Sequence, residues 1–178
     1  QQPAFAPINV TSLGANEGYT VTGIPSARLG ADVTGIADMN GDGWDEFALG
    51  APGVDAERGA VYVIWGSAAL SRGNVTLADW APTAGFLMLG AAVGDRLGEA
   101  VAAAGDLNGD GYGDLMVSAP GADAGGSDAG VVYVVWGRPA LGDIDVAGWS
   151  AADGFRIVGR EPGRRRGDSR DDTAGLPG

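Results

Sequence analysis

The 178-residue sequence contains no cysteine, no histidine and no lysine. Without cysteine, neither a disulfide nor a thiolate metal site can hold the fold. Without histidine, the commonest general base and the commonest transition-metal ligand are both missing. Apolar runs fall far short of the roughly 20 residues that span a bilayer as a helix. Helix-favouring stretches are scarce as well. Short apolar runs instead sit between clusters of Gly, Asp, Asn and Pro, and glycine alone supplies 33 residues. That pattern predicts an all-β chain with many tight turns. The 23 acidic residues outnumber the 11 basic ones, all of them arginine, for a net charge of −12. A chain this acidic repels phosphate backbones, which argues against a nucleic-acid partner. The metal chemistry left to it is carboxylate and carbonyl oxygen, which suits hard cations such as calcium. The first residue is Gln1, as expected of a mature secreted chain or of a segment excised from a longer one.

An internal repeat organises the chain. Residues 29–52 read LGADVTGIADMNGDGWDEFALGAP, and residues 97–120 read LGEAVAAAGDLNGDGYGDLMVSAP, without a gap between them. GAVYVIWG at 59–66 is matched by GVVYVVWG at 130–137, and a third element occurs as GYTVTG (18–23), GFLMLG (85–90) and GFRIVG (154–159). Each copy offers four strand candidates. Strand A is expected at 33–37 and 101–104, strand B at 47–49 and 115–117, and strand C at 61–65 and 131–136. Strand D is expected at 19–22, 86–89 and 155–158. Four antiparallel strands per repeat of this length make a β-propeller blade. The predicted organisation is a leading outer strand of a preceding blade (1–23), blade one (24–90), blade two (91–159) and an off-pattern, disordered tail (160–178). The repeated tryptophans, Trp65 with Trp136 and Trp80 with Trp149, are expected to pack blade against blade rather than to form a sugar platform. Two NVT sequons, at Asn9 and Asn74, lie at similar points of the repeat.

The chemistry concentrates in two loops. One carries Asp38, Asn40, Asp42, Trp44 and Glu46; the other carries Asp106, Asn108, Asp110, Tyr112 and Asp114. Oxygen-bearing side chains fall at loop positions one, three, five and nine. Alternate spacing on a tightly curled loop turns them toward one point, glycine at position six permits the turn, and the carbonyl at position seven adds an oxygen. A plain hairpin is the rival reading, since Asn-Gly and Asp-Gly are turn signals by themselves. Two copies in one register, each ending in a carboxylate, favour about two calcium ions per chain. An EF-hand needs Glu at position 12, where Leu49 and Val117 stand.

LGxxV, then DxNGDGxxD, then GAP resembles the FG-GAP repeat of integrin α propellers and of large bacterial surface proteins. The resemblance covers residues 19 to 159. Departures are the Leu-Gly openings at 29–30 and 97–98, the Ser118-Ala119-Pro120 that replaces GAP, and Glu46 in place of Asp. It implies an extracellular or cell-surface, calcium-stiffened module for adhesion or protein interaction, with no membrane span and no catalysis of its own. A structural spacer in a repetitive surface protein and a propeller appended to a secreted hydrolase are the alternatives. A protein or cell-surface ligand is expected on the face formed by the B–C loops (51–59, 119–130) and D–A loops (90–96, 159–167).

Two blades and one leading strand fall short of a ring. About seven such blades need roughly 480 residues. Either the chain is part of a longer protein, or several chains self-associate to complete a ring; the unpaired leading strand favours the first. The tail after Gly159 loses the repeat and crowds five arginines into residues 160–170. It contains Arg166-Gly167-Asp168-Ser169, which resembles the cell-attachment sequence that integrins read. Arg, Gly and Asp dominate that stretch, so a chance match is the favoured reading.

Overall fold

A computed structural model describes residues 13, 18–68 and 73–160. The expected alternation of strands and turns is present, and the described residues form eleven strands. They are β1 (Val21–Thr22), β2 (Val33–Ile36), β3 (Glu46–Ala51), β4 (Ala60–Ile64), β5 (Val75–Thr76) and β6 (Gly85–Leu89), then β7 (Val101–Gly105), β8 (Asp114–Ala119), β9 (Val131–Val135), β10 (Ile144–Asp145) and β11 (Gly154–Val158). β2, β3, β4 and β6 are strands A to D of blade one, and β7, β8, β9 and β11 are those of blade two. Within each blade every neighbouring pair is antiparallel. The chain is therefore all-β with blade sheets. The tail carrying the RGDS tetrapeptide and the sequon at Asn9 lie outside the described residues.

The sequence reading missed β5 and β10, because two residues show no alternation. Each is an outer strand that a blade lends to the blade before it. β10 pairs in parallel with β6, matching Ile144 to Met88, and β5 pairs in parallel with β1, matching Val75 to Val21. A side chain just before each short strand caps the borrowed edge. Asp143 Oδ1 accepts from Leu87 N at 2.8 Å, and Asn74 Oδ1 accepts from Thr20 N at 3.0 Å. Asn74 thus has a structural duty at the position where the sequence shows only a glycosylation sequon.

One large core joins the blades. Ile36, Met39, Val61, Phe86 and Met88 of blade one are buried with Leu97, Val101, Leu115, Val131 and Tyr133 of blade two. A smaller cluster lies on the other side of blade one, where Ala27, Tyr62 and Leu77 meet Val21 and Val75. The tryptophans do pack, but their ring partners lie within a blade. Trp65 meets Phe86 at 5.6 Å and Trp136 meets Phe155 at 5.4 Å between ring centroids. Trp80 meets Tyr62 at 5.2 Å, and Trp149 meets Tyr133 at 4.9 Å. Trp65 and Trp149 also pack against the core that joins the blades, so the expected blade-to-blade role holds alongside these ring contacts within a blade.

Polar contacts fix the relative placement of the blades. Asp32 Oδ2 accepts from Val101 N at 2.9 Å, joining the two A strands. Arg58 forms a bidentate pair with Asp145 at 2.8 and 2.9 Å, and its Nε donates to Gly90 O. The backbone of one blade comes close to that of the other at Gly98. Its φ is +84°, and a Cβ there would stand 2.5 Å from Ala60 O. Gly30, the matching residue of blade one, has φ +79° with open space around it. Gly98→Ala is expected to cost about 3 kcal/mol and Gly30→Ala about 1 kcal/mol, because both strain φ but only the first collides. Urea unfolding measures both, and equal losses would remove the junction's demand for glycine.

Candidate metal centre

Each loop folds around its first aspartate. Asp38 Oδ1 accepts from Gly41 N at 2.6 Å and Asp42 N at 3.1 Å, while Oδ2 accepts from Gly43 N at 2.8 Å. Asp106 does the same for Gly109, Asp110 and Gly111, at 2.7, 3.1 and 2.9 Å. Asn40 Oδ1 accepts from Asp42 N at 2.8 Å, and Asn108 Oδ1 from Asp110 N at 3.0 Å. Position five then binds position seven: Asp42 Oδ1 accepts from Trp44 N at 2.9 Å, and Asp110 Oδ1 from Tyr112 N at 3.0 Å. These are successive Asx-type bonds, which curl the chain without any regular element.

The ninth position does something the sequence pattern does not announce. Glu46 is buried, and its carboxylate accepts from Met39 N at 2.6 Å and from Gly66 N at 3.3 Å. Asp114 is fully buried and accepts from Leu107 N and Gly137 N, both at 2.8 Å. Each carboxylate thereby ties the A–B loop to the glycine that ends strand C. Gly66 and Gly137 were missed as partners, although both close the repeated YVxWG segment. In the sequence their duty looks like that of any turn glycine.

In the first loop the carboxylate oxygens of Asp38, Asp42 and Glu46 lie within 4.8 Å of one another. Among the described residues this is the one cluster of three such groups that close; in the second loop the shorter Asp114 replaces Glu46. Asn40 and Asn108 flank their loops' aspartates through Nδ2, at 3.0 Å from Asp42 Oδ2 and 2.8 Å from Asp110 Oδ2. The sequence favours the second loop, which follows the repeat pattern fully. The structure brings three carboxylates together in the first.

The first loop concentrates negative charge. None of the described ion pairs involves a loop carboxylate. Burial pushes the Glu46 carboxyl above its usual range. The Met39 and Gly66 amides oppose that shift, and the charges of Asp42 and Asp38 add to it. A hard cation with oxygen ligands would relieve this repulsion directly, and the all-oxygen donor set fits calcium.

The FG-GAP repeat profile matches residues 30–64 and 97–135, which contain both loops. The chain belongs to the FG-GAP, integrin α-like family. It is 32% identical over 140 residues to human phosphatidylinositol-glycan-specific phospholipase D, covering 71% of this chain and 15% of that protein. Mouse integrin alpha-X is 33% identical over 114 residues, covering 62% of this chain and 9% of the integrin. Drosophila integrin alpha-PS5 is 34% identical over 98 residues, covering 55% and 9%. The FG-GAP chain thus spans less than a fifth of the length of these relatives.

Glu46 sets a pH dependence of known sign. A carboxyl whose folded pKa is raised stabilises the fold fully below its ordinary value of 4.5 and loses that contribution as pH rises through the raised value. In calcium-free buffer the urea midpoint should therefore decline above pH 4.5, and Glu46→Gln should flatten the decline. Parallel pH profiles for the two proteins would contradict this.

Proposed function

We propose that this chain is an extracellular calcium-binding propeller module that serves adhesion or protein interaction and performs no catalysis itself. The observation that carries the reading is the first loop, where three carboxylates within 4.8 Å of one another have no basic partner. Asp38, Asn40, Asp42 and Glu46 would hold the first ion with the Trp44 carbonyl. Asp106, Asn108, Asp110 and Asp114 would hold the second with that of Tyr112. The role of such an ion is to cancel charge and stiffen the loop. An interaction role is supported by membership of a family that includes integrin α chains. A surface location is supported by the same relatives. No helix among the described residues is long and apolar enough to cross a membrane.

The absence of catalysis is supported by the residues at hand. Without His, Cys or Lys, the conceivable catalysts are carboxylates, hydroxyls and metal-bound water. The three buried carboxylates among the described residues, Glu46, Asp95 and Asp114, are already held by backbone amides. A second reading, a propeller appended to a hydrolase, is favoured by the match to phosphatidylinositol-glycan-specific phospholipase D. It assigns the chemistry to another part of such a protein. Calcium-dependent hydrolysis of phosphodiester substrates by this chain alone would contradict both readings.

Calorimetry should find two calcium sites with Kd of about 10⁻⁴ to 10⁻³ M, the range of extracellular modules. At about 1 mM calcium and a Kd near 10⁻⁴ M, each site adds roughly 1.4 kcal/mol of stability. Asp42→Ala and Asp110→Ala should each remove one site. No calcium heat, together with a melting temperature unmoved by EDTA, would sink the calcium reading.

A further inference from the structure

Of the six large apolar side chains left exposed among the described residues, all but Val93, in the loop between the blades, fall on two faces. Val33 (55% exposed) and Trp44 (47%) lie on the leading face of blade one, while Leu107 (53%), Phe155 (42%) and Ile157 (58%) lie on the trailing face of blade two. Their repeat counterparts are all at the junction between the blades. Val101, matching Val33, is 5% exposed; Met39, Phe86 and Met88, matching Leu107, Phe155 and Ile157, are fully buried. Each outer face is therefore half of an interface that the chain already makes once.

The two halves repeat several features of the internal junction. A cavity of about 370 Å³ on the trailing face is lined by Pro120, Gly130, Val132 and Ile157. The matching place in blade one is filled by Leu97-Gly98, with Gly59 bridged to Leu97. Leu29-Gly30 on the leading face has the same conformation, φ +79° at Gly30 against +84° at Gly98. A second cavity, of about 480 Å³, opens on the leading face between Tyr19, Trp44, Phe47 and Trp65. At the internal junction Met39 sits at the corresponding place, with its carbonyl accepting from Arg138 N at 2.9 Å. Leu107 is Met39's counterpart. Among the described residues β11 has a partner on one side only, whereas β6 takes β10 on its outer edge.

We propose that a second copy of this chain docks head to tail, the trailing face of one against the leading face of the next. β11 of one copy displaces the neighbour's β1 from β5, and Leu107 enters the cavity beside Trp44. β1 is held to β5 by two residue pairs, whereas β11 is five residues long and brings Leu107, Phe155 and Ile157 with it. The Arg58–Asp145 pair of the internal junction has no half left over here, because Ala129 and Thr76 stand at those two positions. Such a contact is heterologous and adds copies in one direction. It rests on the blade architecture and is independent of the calcium reading. Two side chains make it looser than the internal junction. A Cβ at Gly50 would stand 2.1 Å from Gly98 O, and one at Gly113 would stand 2.4 Å from Ala37 O. The outer faces carry Ser118 and Asp45 at those positions.

Sedimentation velocity from about 1 µM to about 0.5 mM chain tests this, a range that brackets weak protein contacts. The parent chain should associate with rising concentration. Val33→Asp, which spoils the leading face, and Ile157→Asp, which spoils the trailing face, should each be monomeric with parental near-UV circular dichroism. Mixed one to one, they should form a dimer that grows no further, since each retains the face that the other lost. Asp45→Gly combined with Ser118→Gly should tighten association at least fivefold, a gain that nonspecific sticking does not produce. A parent chain that stays monomeric, a mixture that does not dimerise, or a glycine double variant no tighter than the parent would each overturn the proposal.

Discussion

A buried carboxylate that accepts two backbone amides is the interaction on which the rest depends. Glu46 and Asp114 each bind the amide at loop position two and the amide of the glycine after strand C. That bond holds the A–B loop over the end of its own sheet. Charge-assisted bonds of this kind are stronger than neutral ones, and removing the acceptor would leave two amides unsatisfied in a buried place. Once the loop is held, its second residue projects sideways. Met39 then enters the next blade, and the carbonyls of Asp38 and Met39 accept from Gly113 N and Arg138 N at 2.9 Å each. Loop chemistry and blade stacking are therefore one structure.

This coupling explains why the two loops differ despite nearly equal sequences. The first is half-buried at the junction, and Tyr112 of the second loop leans over it so closely that a Cβ at Gly41 would stand 2.6 Å from the ring. The second loop is exposed, and Leu107 has nothing to enter among the described residues. Burial raises the effective strength of charge, so buried Glu46 is repelled by half-buried Asp38 and exposed Asp42 more than it would be in water. A cation bound there would act on the loop and, through its carbonyls, on the blade beyond it.

Much of this was legible in the sequence. The spacing of oxygen side chains identified both loops, and the repeat placed all four strands of each blade within a residue or two. β5 and β10 were not legible, since a two-residue strand has no period to read. The within-blade pairing of Trp65 with Phe86 was not legible either, because a repeated ring fits a neighbour in its own sheet as well as one across the junction. The amide-binding duty of position nine escaped for a related reason. A carboxylate that binds amides and one that awaits a metal look the same in a motif, and only Gly66 and Gly137 at hydrogen-bonding distance distinguish them. The three-carboxylate cluster in the first loop depends on one extra methylene, in Glu46, that pattern matching counts as a departure.

The claim that the metal loop and the blade junction are one unit is tested most directly by amide hydrogen exchange at Gly113 and Arg138, measured with and without calcium. Both amides belong to blade two, and both donate to carbonyls of the first loop of blade one. The account predicts that calcium slows exchange at both, and that Asp42→Ala abolishes the slowing. Exchange at Gly113 and Arg138 that is unchanged by calcium, in a protein whose first loop has bound it, would contradict the account.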